Sequence, residues 1–132
     1  MEYGVVLPDD APRTDLSELD DIPVDLDVRS IGDALGLENM RINVWFFDPG
    51  DEIGYHAHSE QEECYYILKG DFSLKLGKSG DTELVEAGPG TFFAAGPGIG
   101  HGHRYVGDDE GIVLAIGAPA EDDPGLDPHQ LD

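Results

Sequence analysis

The sequence predicts an all-β fold, a barrel or double-stranded jelly roll behind an extended N-terminal arm, on three observations. From Arg41 onward, short segments rich in β-branched and aromatic residues recur between closely spaced turns. In one of them Phe72, Leu74 and Leu76 alternate with Ser73 and Lys75, the period of a strand with one wet face. No helical pattern long enough to cover a sheet is visible, so the strands must bury themselves by closing or stacking on one another.

Eight strands are expected, at 41–47, 52–58, 63–69, 72–76, 82–86, 91–94, 101–106 and 112–117. The connectors DPGD, SEQE, KG, GKSG, AGPG, AAGPGIG and GDDEG all carry turn chemistry. Upstream, Val24, Leu26 and Val28 alternate as one further strand, and Ser30 or Asp33 caps a helical turn through Ala34 and Leu35 that Gly36 stops. Residues 119–132 hold three prolines and five acids and read as a loose tail. A single domain over 1–132 is expected, divided into an arm (1–37), a barrel (38–118) and an acidic flexible tail (119–132).

Charge narrows the function classes. The 132 residues carry 29 Asp and Glu against 7 Lys and Arg, a formal charge of −22. Nucleic acids and anionic membrane surfaces are disfavoured partners, because both are bound through Lys and Arg. The acids are dispersed, 11 in 1–38, 10 in 39–86 and 8 in 87–132, so they belong to a folded surface and not to one disordered block. Self-repulsion on that scale is relieved by concentrated salt, and a halophilic source is the expectation. The start MEYGVVLPDDAPR has no basic residue ahead of a long apolar stretch, and no apolar run is long enough to cross a bilayer. Cys64 is the one cysteine, which excludes an intramolecular disulfide and suits a reducing, cytoplasmic setting.

Four of the five histidines fall in two close pairs, His56/His58 and His101/His103, within expected strands. A spacing of two places each pair on one strand face, and Glu63 follows across a short turn on the neighbouring strand. Imidazole nitrogens with a carboxylate oxygen suit one divalent transition metal, Fe, Mn, Ni, Co, Cu or Zn. Tyr65 and Ile67 share parity with Glu63 and are expected to line the pocket, with Cys64 facing away as a structural thiol. Trp45 and Phe47 share a face and read as core. The glycine-rich AAGPGIGHGH lacks the strand-to-helix context and the lysine of a P-loop.

The spacing Gly50, five residues, His56-Ala57-His58, four residues, Glu63, six residues, Gly70 resembles the first conserved motif of the cupins. The second motif is approximated by Gly88, Gly96 and the turn delivering His101, with Ala94 in place of a proline and Tyr105 in place of a common asparagine. The resemblance implies a small cupin-type barrel, often a homodimer, with metal ligands His56, His58, Glu63 and His101. The interval to Gly70 selects Glu63 over its neighbour Glu62. His103 and Tyr105 are the candidate catalytic residues, placed to handle protons or substrate.

Two functions fit such a site: a metal-dependent oxygenase, isomerase or decarboxylase acting on a small organic molecule, or a non-catalytic ligand-binding or sensing module. Among the expected strands Arg41 and Arg104 are the only arginines, and Arg104 is out of phase with the histidines. Sugars, phenols or small keto compounds therefore suit the cavity better than highly anionic substrates.

Because the acidic surface repels itself, the melting temperature is expected to rise between 0.1 M and 3 M KCl. A flat curve in a thermal titration would remove the halophile argument.

Overall fold

The computed structural model describes residues 2–16 and 26–120. The arm contains a short 3-10 turn, Pro8–Asp10, followed by strand β1 (Asp27–Ser30) and helix α1 (Ile31–Leu35). Strands β2 (Arg41–Phe47), β3 (Glu52–His56), β4 (Glu62–Lys69), β5 (Phe72–Lys78), β6 (Asp81–Ala87), β7 (Phe92–Ala95), β8 (His101–Tyr105) and β9 (Gly111–Ala118) complete the chain. All eight expected strands form, most with bounds shifted by one or two residues. Val24 and the tail from 121 lie outside the described residues.

The strands form two antiparallel sheets, β1-β2-β9-β4-β7 and β3-β8-β5-β6, as a jelly-roll barrel requires. Their inner faces share one core, in which Phe47, Tyr65, Ile67 and Val113 are fully buried. Register stacks this interior in layers. At one end Glu63 stands opposite Gly117 and Ala95 in the first sheet, while His56, His101 and Leu76 align in the second. One step deeper come Tyr65, Ala115 and Phe93, facing Ile53, His103 and Leu74. Polar ligands thus occupy a rim layer and aromatic side chains the layer beneath.

The arm is tied to the first sheet. Thr14 N–H donates to Val28 O at 2.8 Å and Ser30 N–H to Pro12 O at 2.9 Å. Ser30 occupies the N-cap position of α1 without making a side-chain cap bond, because its hydroxyl is 2.6 Å from that of Thr14. Gly36 ends the helix with φ 73°. Trp45 and Phe47 are buried as expected. At Gly70, φ is +91° and an added Cβ would lie 2.7 Å from the Tyr105 ring and 3.1 Å from the Gly111 backbone, which explains why the β4–β5 connection needs glycine there.

Among the described residues no helix is long and apolar enough to cross a membrane.

Candidate metal centre

Two same-face residues on a regular strand sit about 6.5–7 Å apart, too far to serve one ion equivalently. Strand β3 resolves this with an irregularity. Its register against β8 shifts between Ile53 and His56, and the strand ends at His56, leaving His58 on the following segment. Strand parity alone, extended to 58, does not describe this. The ring centroids of His56 and His58 come to 5.1 Å, and those of His56 and His101 to 4.3 Å.

His101 reaches the cluster through the glycine-rich turn. Gly98 N–H donates to His58 O at 2.7 Å, binding the turn against the His56–His58 segment. An added Cβ at Gly100 would lie 2.4 Å from the Tyr55 ring, whose hydroxyl donates to Gly77 O at 2.5 Å. A side chain there would push the turn, and His101 with it, away from β3.

His56, His58, Glu63 and His101 each offer a ligand atom, and these atoms lie within 4.8 Å of one another. Glu63 is on β4, so the cluster bridges the two sheets. His58 Nε2 contacts Glu63 Oε1 directly, while His101 Nε2 lies 3.2 Å and His56 Nε2 4.0 Å from the same oxygen. The other ring nitrogens of His56 and His101 face backbone carbonyls, Nδ1 of His56 at 2.7 Å from Gly54 O and Nδ1 of His101 at 3.0 Å from Ile99 O. A carbonyl only accepts, so both Nδ1 atoms carry the proton and both Nε2 lone pairs turn toward Oε1. Tyr65 hydroxyl donates to the second carboxylate oxygen, Oε2, at 2.8 Å. Lone pairs of nitrogen and oxygen facing one another need a cation between them, a proton or a metal ion. The donor set fits a divalent transition metal, and all four ligands are buried or nearly so.

Electrostatics agree with that geometry. Burial pushes the Glu63 carboxyl upward, but with a proton between nitrogen and oxygen the hydrogen bonds from His101 and His58 and their charge override it and hold it well below the usual carboxylate range. Glu63 therefore remains an anion, the form that binds metal. Glu62, the alternative carboxylate, is exposed on the opposite face.

His103 lies one step deeper and does not join the four. It stacks on Trp45 with ring centroids 5.3 Å apart, and Phe47, Phe93 and Tyr65 stand 5.5, 5.5 and 5.2 Å away. Among the described residues neither ring nitrogen has a hydrogen-bond partner, nor does Trp45 Nε1. Burial, which penalises the charged form, lowers its pKa from 6.5 to about 3, so its imidazole is neutral at physiological pH.

The structure places Tyr105, expected beside His103 as a second proton carrier, away from the cluster. It is two strand steps from His101, ~13 Å along the strand, and its hydroxyl accepts the Asp109 N–H at 3.1 Å, holding the β8–β9 turn. Sequence reasoning missed the bond from Tyr65 to Glu63, although their shared parity was the available signal. It also missed the carbonyls of Gly54 and Ile99, for which no residue-type signal exists.

A jelly-roll barrel with a buried three-histidine, one-glutamate cluster at one end defines a class of metal-binding β-barrel. The cupin domain model matches residues 43–117, more than half of the chain, and the chain belongs to that family. No curated protein sequence matches it. Among solved structures, a protein assigned as a sugar phosphate isomerase from Acidithiobacillus ferrooxidans is 29% identical with a TM-score of 0.69, over 80% of this chain and 66% of its own. A predicted oxalate decarboxylase from Thermotoga maritima is 19% identical with a TM-score of 0.71, over 88% and 99%. A cupin protein from Bacteroides fragilis is 19% identical with a TM-score of 0.67, over 92% and 88%. These last two likenesses speak to the fold alone.

His101→Ala is expected to lower metal occupancy severely, as His56→Ala or Glu63→Ala would, whereas His103→Ala retains the ion. Elemental analysis after dialysis decides this, and the reverse pattern would overturn the ligand assignment.

In the metal-free protein, acid acts through His103. Below pH 6.5 the unfolded chain protonates this residue and the folded chain does not until about pH 3, so stability falls as pH drops through that window. The loss is up to ~1.4 kcal/mol per pH unit. Urea midpoints at pH 7 and pH 5 should differ less in His103→Phe than in the native protein.

Proposed function

We propose that the chain is a metal-dependent enzyme acting on a small, largely uncharged organic molecule in the barrel mouth. The observation that carries this reading is the cluster itself: two imidazoles with their tautomers fixed by backbone carbonyls, and a carboxylate oriented by Tyr65. Such preorganisation has a use only if a cation sits between the ligands. A bound divalent metal would supply Lewis-acid polarisation of a substrate oxygen. Three histidines and one glutamate leave about two positions of an octahedral shell for substrate or water.

The remaining chemistry belongs to the chain. His103, neutral and enclosed by aromatic rings, offers one N–H donor and one acceptor nitrogen to a substrate group reaching below the rim, and there it holds or moves a proton. The rings of Trp45, Tyr65 and Phe93 around it exclude water and offer flat apolar walls. Proton handling is given to His103 alone, since Tyr105 is committed to its turn.

Oxygenase, isomerase and decarboxylase chemistry all use such a site. The 29% identity with the Acidithiobacillus ferrooxidans protein favours isomerisation of a hydroxy-carbonyl compound such as a sugar. Scarcity of Lys and Arg among the inward-facing positions favours an uncharged substrate over a highly anionic one. In this reading the acidic surface is an adaptation to concentrated salt and the setting is cytoplasmic.

The test starts with protein purified without a metal-chelating column, assayed for metal content, then for aldose–ketose interconversion and for oxygen uptake. Interconversion that is lost in Glu63→Ala and reduced in His103→Phe is the expected result. Saturable ligand binding without turnover in every assay would replace the enzyme with a binding or sensing module.

A further inference from the structure

His56 and His101 stand opposite each other where β3 pairs with β8. The residues just before them, Tyr55 and Gly100, also meet, and they meet through a side chain that crosses from one strand to another. In the second sheet β8 lies between β3 and β5. Tyr55, on β3, donates its hydroxyl proton to Gly77 O of β5 at 2.5 Å, so its side chain passes over the chain just ahead of β8. With neighbouring strands about 4.8 Å apart, the crossing links backbones roughly 10 Å from each other.

Gly100 makes room for it. An added Cβ at that position would lie 2.4 Å from Cε1, Cζ and the hydroxyl oxygen of Tyr55. Gly77 then ties the same turn a second time, because its carbonyl accepts from Tyr55 while its N–H donates to Gly100 O at 2.9 Å. Lys75 Nζ lies 4.4 Å from the Tyr55 ring centroid, a cation–π contact that favours the same ring position.

We propose that Tyr55 is a positioning residue of the metal centre, a strap over the approach to β8 that fixes the separation of His56 and His101. This rests on the reading of the four clustered side chains as metal ligands. Tyr55 acts through Gly100 and not as a ligand, since its hydroxyl proton is committed to Gly77. Without that hydroxyl the ring still packs against Gly100, but the crossing is anchored at one end only. His101 then spends part of its time away from the place where its Nε2 lies 3.2 Å from Glu63 Oε1. An ion that needs all four ligands is bound with an affinity reduced by the fraction of time the site is assembled.

Tyr55→Phe removes only the hydroxyl. Tyr105→Phe is the matched control, because it removes a hydroxyl that accepts the Asp109 N–H at 3.1 Å, two strand steps from His101. Cobalt(II) is titrated into the metal-free chain and read by its visible absorption. An assembled fraction of about one tenth in Tyr55→Phe would raise the cobalt Kd about 10-fold, and the absorption bands should shift, whereas Tyr105→Phe should keep the native Kd and bands. A second measurement needs no metal. Imidazole 15N spectra of the metal-free chain at pH 8 should show shifted or broadened His101 signals in Tyr55→Phe, native ones in Tyr105→Phe, and unchanged His103 signals in Tyr55→Phe. A native cobalt Kd or native His101 signals in Tyr55→Phe would overturn the proposal, as would equal losses in the two variants. If the native chain takes up no cobalt, the metal-centre reading falls, and the imidazole spectra alone decide whether Tyr55 holds His101 in place.

Discussion

A carboxylate buried among three imidazoles is the constraint around which this barrel is organised. Removing an ion from water costs several kcal/mol even after relaxation, and Glu63 is almost wholly inside. Its anionic form is favoured by the Tyr65 hydroxyl on one oxygen and by a cation, proton or metal ion, held between the other oxygen and the imidazole Nε2 atoms. Those neighbours need supports of their own, which the carbonyls of Gly54 and Ile99 provide. The irregular end of β3, the tight 96–100 turn and the parity of β4 all serve one point in space.

Beneath that point the interior changes character within a single strand step. The rim layer holds ligands that want a cation, and the next layer holds aromatic rings around His103, where a charged imidazole is strongly disfavoured. Two histidines two residues apart on β8 thus have different neighbours, a carboxylate for His101 and aromatic rings for His103. Their difference comes from depth in the barrel, not from residue type.

Much of this was legible in the sequence. The strands read cleanly because β-branched and aromatic segments are bounded by Gly and Pro, and β2 matches its expected bounds at both ends. The clustering of these four side chains was legible from the His56-Ala57-His58 and Glu63 spacing together with the turn before His101. What escaped were features set by three-dimensional approach. The end of β3 at His56, which leaves His58 off the strand, has no residue signature here, and Ser30 looked like a helix cap because its partner Thr14 is 16 residues away. Tyr105 shared a face with His101, but periodicity reports the face and says nothing of depth or of the Asp109 bond that occupies its hydroxyl.

The hydrogen bond from Gly98 to His58 ties together segments 40 residues apart, and His101 lies 38 residues from Glu63. Contacts of that sequence separation form only after large loops have closed, when most of both sheets is already in place. The ligands are therefore brought together late in folding, by a scaffold that aromatic and aliphatic residues have built. A metal ion would find no partial site to nucleate around, and its effect on kinetics would fall mainly on unfolding, by slowing escape from a structure already complete.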